Sequence, residues 1–271
     1  MKKSLVALAL SLAMLCACSG CSGDNPANPS GSPAVTEEPG IAEGVVESPG
    51  NPVPNPTDES GASQSETPAP TPEKELVFDE SALSDMPHAD EYVALHSANP
   101  EVIAWITVPN TKIDYGVALT SDNEKYLHTT LSGEESKSGA IFFDYRTDQA
   151  LSGRHLIIYG HNMKAGTMFH DLNSYKHKEF FENNRTITLW AGSEKREYEV
   201  YAAFIATEDI YFIRMYFSDD AYFLKYMTDL QALSKFSTDV VLNVNDQILT
   251  LVTCTYEEDN ARFVVQAKRV S

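Results

Sequence analysis

A mainly β fold, a closed or nearly closed barrel carrying a few helices, is predicted by three features of the sequence. Short runs rich in β-branched and aromatic residues, separated by turn residues, occupy 102–108, 113–118, 140–144, 156–159, 186–190, 197–206, 248–253 and 263–268. Only one long segment, 219–236, carries a strong apolar stripe at helical spacing. Every Phe, Tyr and Trp lies beyond residue 75, so one domain of residues 76–271 holds the core. Many short strands with few inserted helices are the pattern of a barrel.

Taken in order, the chain begins with Lys2 and Lys3 and an apolar run over 5–15 interrupted only by Ser11. A bilayer-spanning helix needs ~20 apolar residues, so this run suits the core of a secretory signal. It ends in Leu15-Cys16-Ala17-Cys18, which resembles a bacterial lipobox. Cys18 is the expected lipidation site and Cys21 the second choice; a signal cut without lipid, or retained as an anchor, is the alternative. All of these place the protein outside the cytoplasmic membrane.

Residues 24–75 hold 11 of the 14 prolines and no aromatic residue, with ten carboxylates against Lys74 alone, a net charge of −9. Such a segment buries too little apolar surface to offset its ordering entropy and reads as an extended acidic tether. The whole chain of 271 residues has 39 acidic and 20 basic side chains, a formal charge of −19. That excludes a general nucleic-acid binder, which needs a basic face, and a polybasic membrane-surface protein.

In the domain, 85–99 is an expected helix, with Pro87 in its first turn and Pro100 as its stop. A short helix is expected over 167–175. In the 219–236 helix, Tyr222, Phe223, Tyr226, Met227, Leu230 and Leu233 form the stripe, and Asp219 or Ser218 caps its start.

Cys254 is the only cysteine of the domain. It ends the apolar run 248–253 and opens onto the polar stretch 255–260, a position substrate can reach. A buried structural thiol is the alternative. A thiol nucleophile needs a base or cation nearby. His161 is the best placed of the seven histidines, after the apolar run Leu156-Ile157-Ile158-Tyr159 and the turn residue Gly160. His155 is a weaker candidate, and His88, His96, His128, His170 and His177 read as solvated. No histidine or cysteine pair has zinc-site spacing. Arg262 opens the strand after Cys254, so antiparallel pairing of the two would set guanidinium and thiol at one end. The alternative is an ion pair with Glu257, Glu258 or Asp259.

These motifs together resemble one family. Thr250-Leu251-Val252-Thr253-Cys254 with Arg262 is similar to the TLxTC…R signature of sortases. Tyr159-Gly160-His161-Asn162-Met163 resembles the histidine region of class B sortases, as do the runs 105–115, 122–127 and 139–144 their own class B counterparts. The resemblance covers nearly all of 85–271. It implies an eight-stranded sortase barrel with an N-terminal helix, the 219–236 helix being the insertion between strands 6 and 7. It implies a catalytic set of His161, Cys254 and Arg262, and a substrate groove lined by Asn123 and Leu127, with Tyr159 nearby. The implied reaction cleaves an NPxTN or (N/S)PxTG sorting motif of a secreted protein after Thr. The acyl group then passes to an amine of peptidoglycan or of a pilin, with no cofactor. Val252 departs from the Ser frequent in class B at that position, and a lipobox with tether replaces the usual uncleaved membrane helix. A Cys-His hydrolase and a non-catalytic lipoprotein binding module are the rival functions.

Deleting residues 1–75 is expected to leave a soluble domain that unfolds cooperatively on heating; a non-cooperative melt would contradict the tether. Cys18→Ala is expected to stop metabolic labelling with a fatty-acid analogue, whereas persistent labelling points to Cys21 or to no lipobox.

Overall fold

Successive residues of a strand point to opposite faces of a sheet, and here both faces are largely apolar and both are covered. The computed structural model describes residues 76–254 and 261–271; the expected signal segment with Cys18 and the expected tether lie outside them. The described residues form eight strands: β1 (Val102–Thr107), β2 (Asp114–Ala118), β3 (Ile141–Phe143), β4 (His155–Tyr159), β5 (Thr186–Ala191), β6 (Glu194–Ala206), β7 (Ile248–Cys254) and β8 (Arg262–Arg269). They close in the order β1-β2-β3-β4-β7-β8-β6-β5. Each matches an expected strand. The β2–β3 and β4–β7 pairs are parallel and the other neighbours antiparallel.

The alternation sorts the core into layers. Ala104, Ile106, Leu156, Ile158, Leu249, Leu251, Val265 and Ala267 fill the barrel interior. Outside, Trp105 and Trp190 are covered by Leu83, Met86 and Tyr92 of the N-terminal segment. Val264, Tyr201 and Ala202 are covered by Phe223, Met227 and Leu230 of a helix. Burying each such large side chain contributes roughly 1.5–3 kcal/mol.

The helices depart from expectation in informative ways. Helix α1 (Ala89–Ala98) starts after His88, whose φ of 63° is left-handed, so Pro87 precedes the helix instead of entering its first turn. A 3-10 turn, Glu80–Leu83, comes before it, capped by the Asp79 carboxylate. Two short helices, α2 (Lys125–His128) and α3 (Lys178–Asn183), were not anticipated, being too brief to show a period. The expected 167–175 helix is a 3-10 helix at His170–Lys176, since Met168 adopts a φ of 57°. Helix α4 (Asp220–Gln231) is capped by Asp219, as expected, and lies between β6 and β7. It ends before 236 because the chain turns onto β6: Ala203 N–H donates to Ser234 Oγ (3.0 Å), and Lys235 N–H donates to the Ala203 carbonyl (3.1 Å). Tyr222 and Leu233, placed on the stripe from sequence, are exposed. Among the described residues no helix is long and apolar enough to cross a membrane.

A buried polar chain crosses the outer face of β4, β7 and β8. Tyr201 Oη donates to Gln266 Oε1 (3.1 Å), and Gln266 Nε2 donates to Thr250 Oγ1 (3.1 Å). Thr250 Oγ1 lies 2.7 Å from His155 Nε2, and His155 Nδ1 lies 2.6 Å from the Arg214 carbonyl. A carbonyl only accepts, so Nδ1 carries the proton and Nε2 accepts from Thr250. The neutral ring therefore fastens the β6–β7 connection to the barrel. Burial pushes the His155 pKa down to about 4.

In the unfolded chain a histidine titrates near ~6.5. The folded value being lower, this group's contribution is full above that pH and is lost as pH falls towards 4. The loss is about 3 kcal/mol, since each tenfold drop in proton affinity corresponds to ~1.4 kcal/mol. Urea unfolding at pH 7.5 and pH 4.5 should show a smaller pH dependence for His155→Gln than for wild type. Equal dependence in the two proteins would contradict a buried neutral His155.

Candidate active site

The site grows from the register of three strands. In the β7–β8 pair Cys254 stands directly across from Arg262. In the parallel β4–β7 pair Tyr159 stands across from Val252, and Gly160 N–H donates to the Val252 carbonyl at 3.1 Å. His161 is two residues beyond Tyr159, and Cys254 two beyond Val252. The same register thus brings His161, Cys254 and Arg262 to one end of three adjacent strands, which are spaced ~4.8 Å apart.

Local packing fixes His161. A Cβ on Gly160 would stand 2.5 Å from Ile141 Cδ1 and 2.7 Å from Phe169 Cγ, so only glycine fits there. The loop beyond closes on itself: Asn162 bridges Met168, and Phe169 N–H donates to the His161 carbonyl at 2.9 Å. Asn162 is buried, and its Oδ1 accepts from His170 Nδ1 at 2.9 Å. His161 Nε2 lies 2.9 Å from the carbonyl of Leu127 in α2. That carbonyl only accepts, so Nε2 holds a proton and Nδ1 is the nitrogen left for proton transfer. Gly139 permits the approach of α2: a Cβ there would be 2.2 Å from the Tyr126 carbonyl.

Beside this strand end lies a groove of about 400 Å³. Asn123, Glu124, Leu127, Phe142, Tyr159, Gly160, His161, Val252, Thr253 and Arg262 line it. The sequence-derived residues Asn123, Leu127, Tyr159, His161 and Arg262 are therefore brought together, with Cys254 following Thr253 on β7. Val252 gives the wall an apolar surface. Glu257, Glu258 and Asp259, the alternative partners of Arg262, lie outside the described residues.

Sequence reasoning missed the buried pair that holds two of the lining residues, Asn123 and Tyr159, from behind. Asp144 follows β3 and is wholly buried. Arg146 grips it with two bonds, Nε to Oδ1 at 2.7 Å and Nη2 to Oδ2 at 2.8 Å. Burial acts to raise the Asp144 pKa, but the hydrogen bonds from Arg146 and Tyr159 outweigh it and hold the carboxyl below its usual range. The signal in the sequence was an acid closing an apolar strand two residues before an arginine. The reading of His96 and His170 as solvated is corrected: His96 Nδ1 lies 2.8 Å from the Val102 carbonyl with its ring stacked on Phe78, and His170 holds Asn162. Among the described residues no group of three or more His, Cys, Asp or Glu could hold a metal ion.

The comparisons with known proteins agree on one family. A family model described as a sortase domain matches residues 106–270. Sortase B of Listeria monocytogenes is 35% identical over 184 residues, which are 67% of this chain and 75% of that protein. The crystal structure of Clostridium perfringens sortase B is similar at a TM-score of 0.62 and 34% identity, covering 66% of this chain and 99% of that one. A Staphylococcus aureus sortase B–substrate complex is similar at a TM-score of 0.63 and 29% identity, over 67% of this chain and 85% of that one.

Because no Cβ fits at position 160, Gly160→Ala should displace the His161 loop. Overpacking of this kind costs about 1–3 kcal/mol, to be read as a lower urea midpoint together with impaired peptide turnover. An unchanged midpoint and unchanged turnover would show that the loop does not depend on this contact.

Proposed function

This chain belongs to the sortase family of cysteine transpeptidases, in its class B, and from that premise we propose that Cys254, His161 and Arg262 are its catalytic set. The observation that carries the assignment is the strand register: Cys254 pairs with Arg262, and the β4–β7 pairing brings His161 to the same end. In the proposed cycle the Cys254 thiolate attacks the Thr carbonyl of a sorting motif of NPxTN or (N/S)PxTG type. The electron pair moves onto the carbonyl oxygen, and Arg262 stabilises that oxyanion. Collapse breaks the C–N bond, and His161, as imidazolium, gives its Nδ1 proton to the leaving amine. A thioester on Cys254 remains.

An acceptor amine then attacks the thioester. Neutral His161 takes its proton, the second tetrahedral species expels the thiolate, and the new amide leaves. The acceptor class is an amine of a peptidoglycan cross-bridge or stem peptide, or a pilin lysine. Asn123, Leu127 and Tyr159 are assigned to binding the motif, since all three line the groove beside His161 and Arg262. The reading places the domain at the outer face of the cytoplasmic membrane, held by the N-terminal segment through Cys18 and a tether of residues 24–75.

Cys254→Ala should abolish cleavage of an NPxTN-type peptide and leave the melting temperature nearly unchanged. Arg262→Lys should lower kcat/KM by about 10²–10³, the usual effect of losing one oxyanion donor, because an ammonium does not reproduce the planar fork. In that variant Cys254 should still react with iodoacetamide. Turnover by Cys254→Ala would overturn the nucleophile, and a wild-type rate in Arg262→Lys would overturn the oxyanion role.

A further inference from the structure

Asp144 accepts five hydrogen bonds from the described residues, and these partners face the groove on one side and the β6–β7 connection on the other. Oδ1 takes the Arg146 backbone N–H (3.1 Å) and Nε (2.7 Å). Oδ2 takes Arg146 Nη2 (2.8 Å), Tyr159 Oη (2.8 Å) and Asn123 Nδ2 (3.4 Å). Arg146 Nη2 also donates to the Ile213 carbonyl at 3.0 Å, and Tyr145 N–H donates to Asn123 Oδ1 at 2.9 Å.

This set removes the freedom of two groove residues. A phenol has one proton, and Tyr159 spends it on Asp144, so it offers substrate lone pairs only. The Asn123 carboxamide cannot flip, because its oxygen is needed by Tyr145 N–H and its nitrogen by the carboxylate. It therefore offers substrate its second N–H. We propose that Asp144, held by Arg146, is a positioning residue that fixes the hydrogen-bond polarity of the groove and so selects a substrate group that accepts from Asn123 and donates to Tyr159. A carboxamide or a peptide unit brings both; a carboxylate brings no donor. The inference rests on the sortase reading of the groove and adds to it a determinant of specificity.

The test uses three peptides, NPATN, DPATN and NPATD, so that each motif carboxamide is exchanged in turn for a carboxylate of the same shape. Wild type should discriminate by at least ~10-fold in kcat/KM at one of the two positions, the worth of about one buried hydrogen bond. In Asp144→Asn/Arg146→Met both charges are gone, an exchange that folded proteins often tolerate. That variant should raise KM for NPATN about 10-fold with little change in kcat, and its Asn-to-Asp preference should fall close to one. Asp144→Asn alone, whose amide turns a donor towards Tyr159 and frees the phenol proton, is the second variant should the first fail to fold. It should lose the same preference.

Wild-type preference retained in the variant that folds would overturn the role of Asp144 and leave the sortase reading intact. A fall in kcat with the preference retained would show a structural role only and overturn it equally. The proposal is also overturned if wild type cleaves NPATN without preferring either Asn. Failure of wild type to cleave any of these peptides would overturn the sortase reading and the proposal with it.

Discussion

The register of β4, β7 and β8 is the constraint on which the rest depends. A slip of one residue in any strand turns each of its side chains to the other face. Here that would carry Leu249, Leu251 and Val265 out of the barrel interior and separate Cys254 from its partner Arg262. The core and the site are therefore held by the same pairing. The pairing that stabilises the barrel also brings His161, Cys254 and Arg262 to one strand end.

Two polar systems outside the barrel convert that strand end into a shaped groove. The chain from Tyr201 through Gln266, Thr250 and His155 to the Arg214 carbonyl ties the β6–β7 connection to the sheet. The Asp144–Arg146 pair ties the neighbouring carbonyl, that of Ile213, to Tyr159 and Asn123. Each buried group in these systems finds a partner, which is what makes such burial tolerable. A well-packed apolar pair in place of Asp144 and Arg146 could serve stability as well. Orientation of groove side chains is the service that charge and hydrogen bonding supply and apolar packing does not.

Much of this was legible because the strands are local signals. All eight runs of β-branched and aromatic residues became strands, and the short spacing from Cys254 to Arg262 already suited an antiparallel pair. The sequence also drew Asn123, Leu127, Tyr159 and His161 from two separate motifs, and the groove collects all four. What stayed hidden depends on contacts between residues far apart in the chain. Asp144 shows as one acid after a strand, and its importance arises only when Tyr159, Asn123 and the Ile213 carbonyl arrive from elsewhere. The end of α4 is set by Ala203 of β6, which no periodicity within 219–236 contains. His155 looked like a lesser version of His161; its role follows from pairing with Thr250, 95 residues away.

Chemistry of this kind differs from that of a thiol hydrolase in one step, the resolution of the thioester. The most direct measurement is intact-mass spectrometry of the wild-type protein mixed with an NPATN peptide and a panel of amines that includes triglycine and a diaminopimelate-containing stem peptide. The expected result is an adduct on Cys254 with the mass of the peptide through Thr. An amine of the panel should then discharge this adduct to a ligated product. An adduct that yields only the hydrolysed acid with every amine in the panel would contradict transpeptidation.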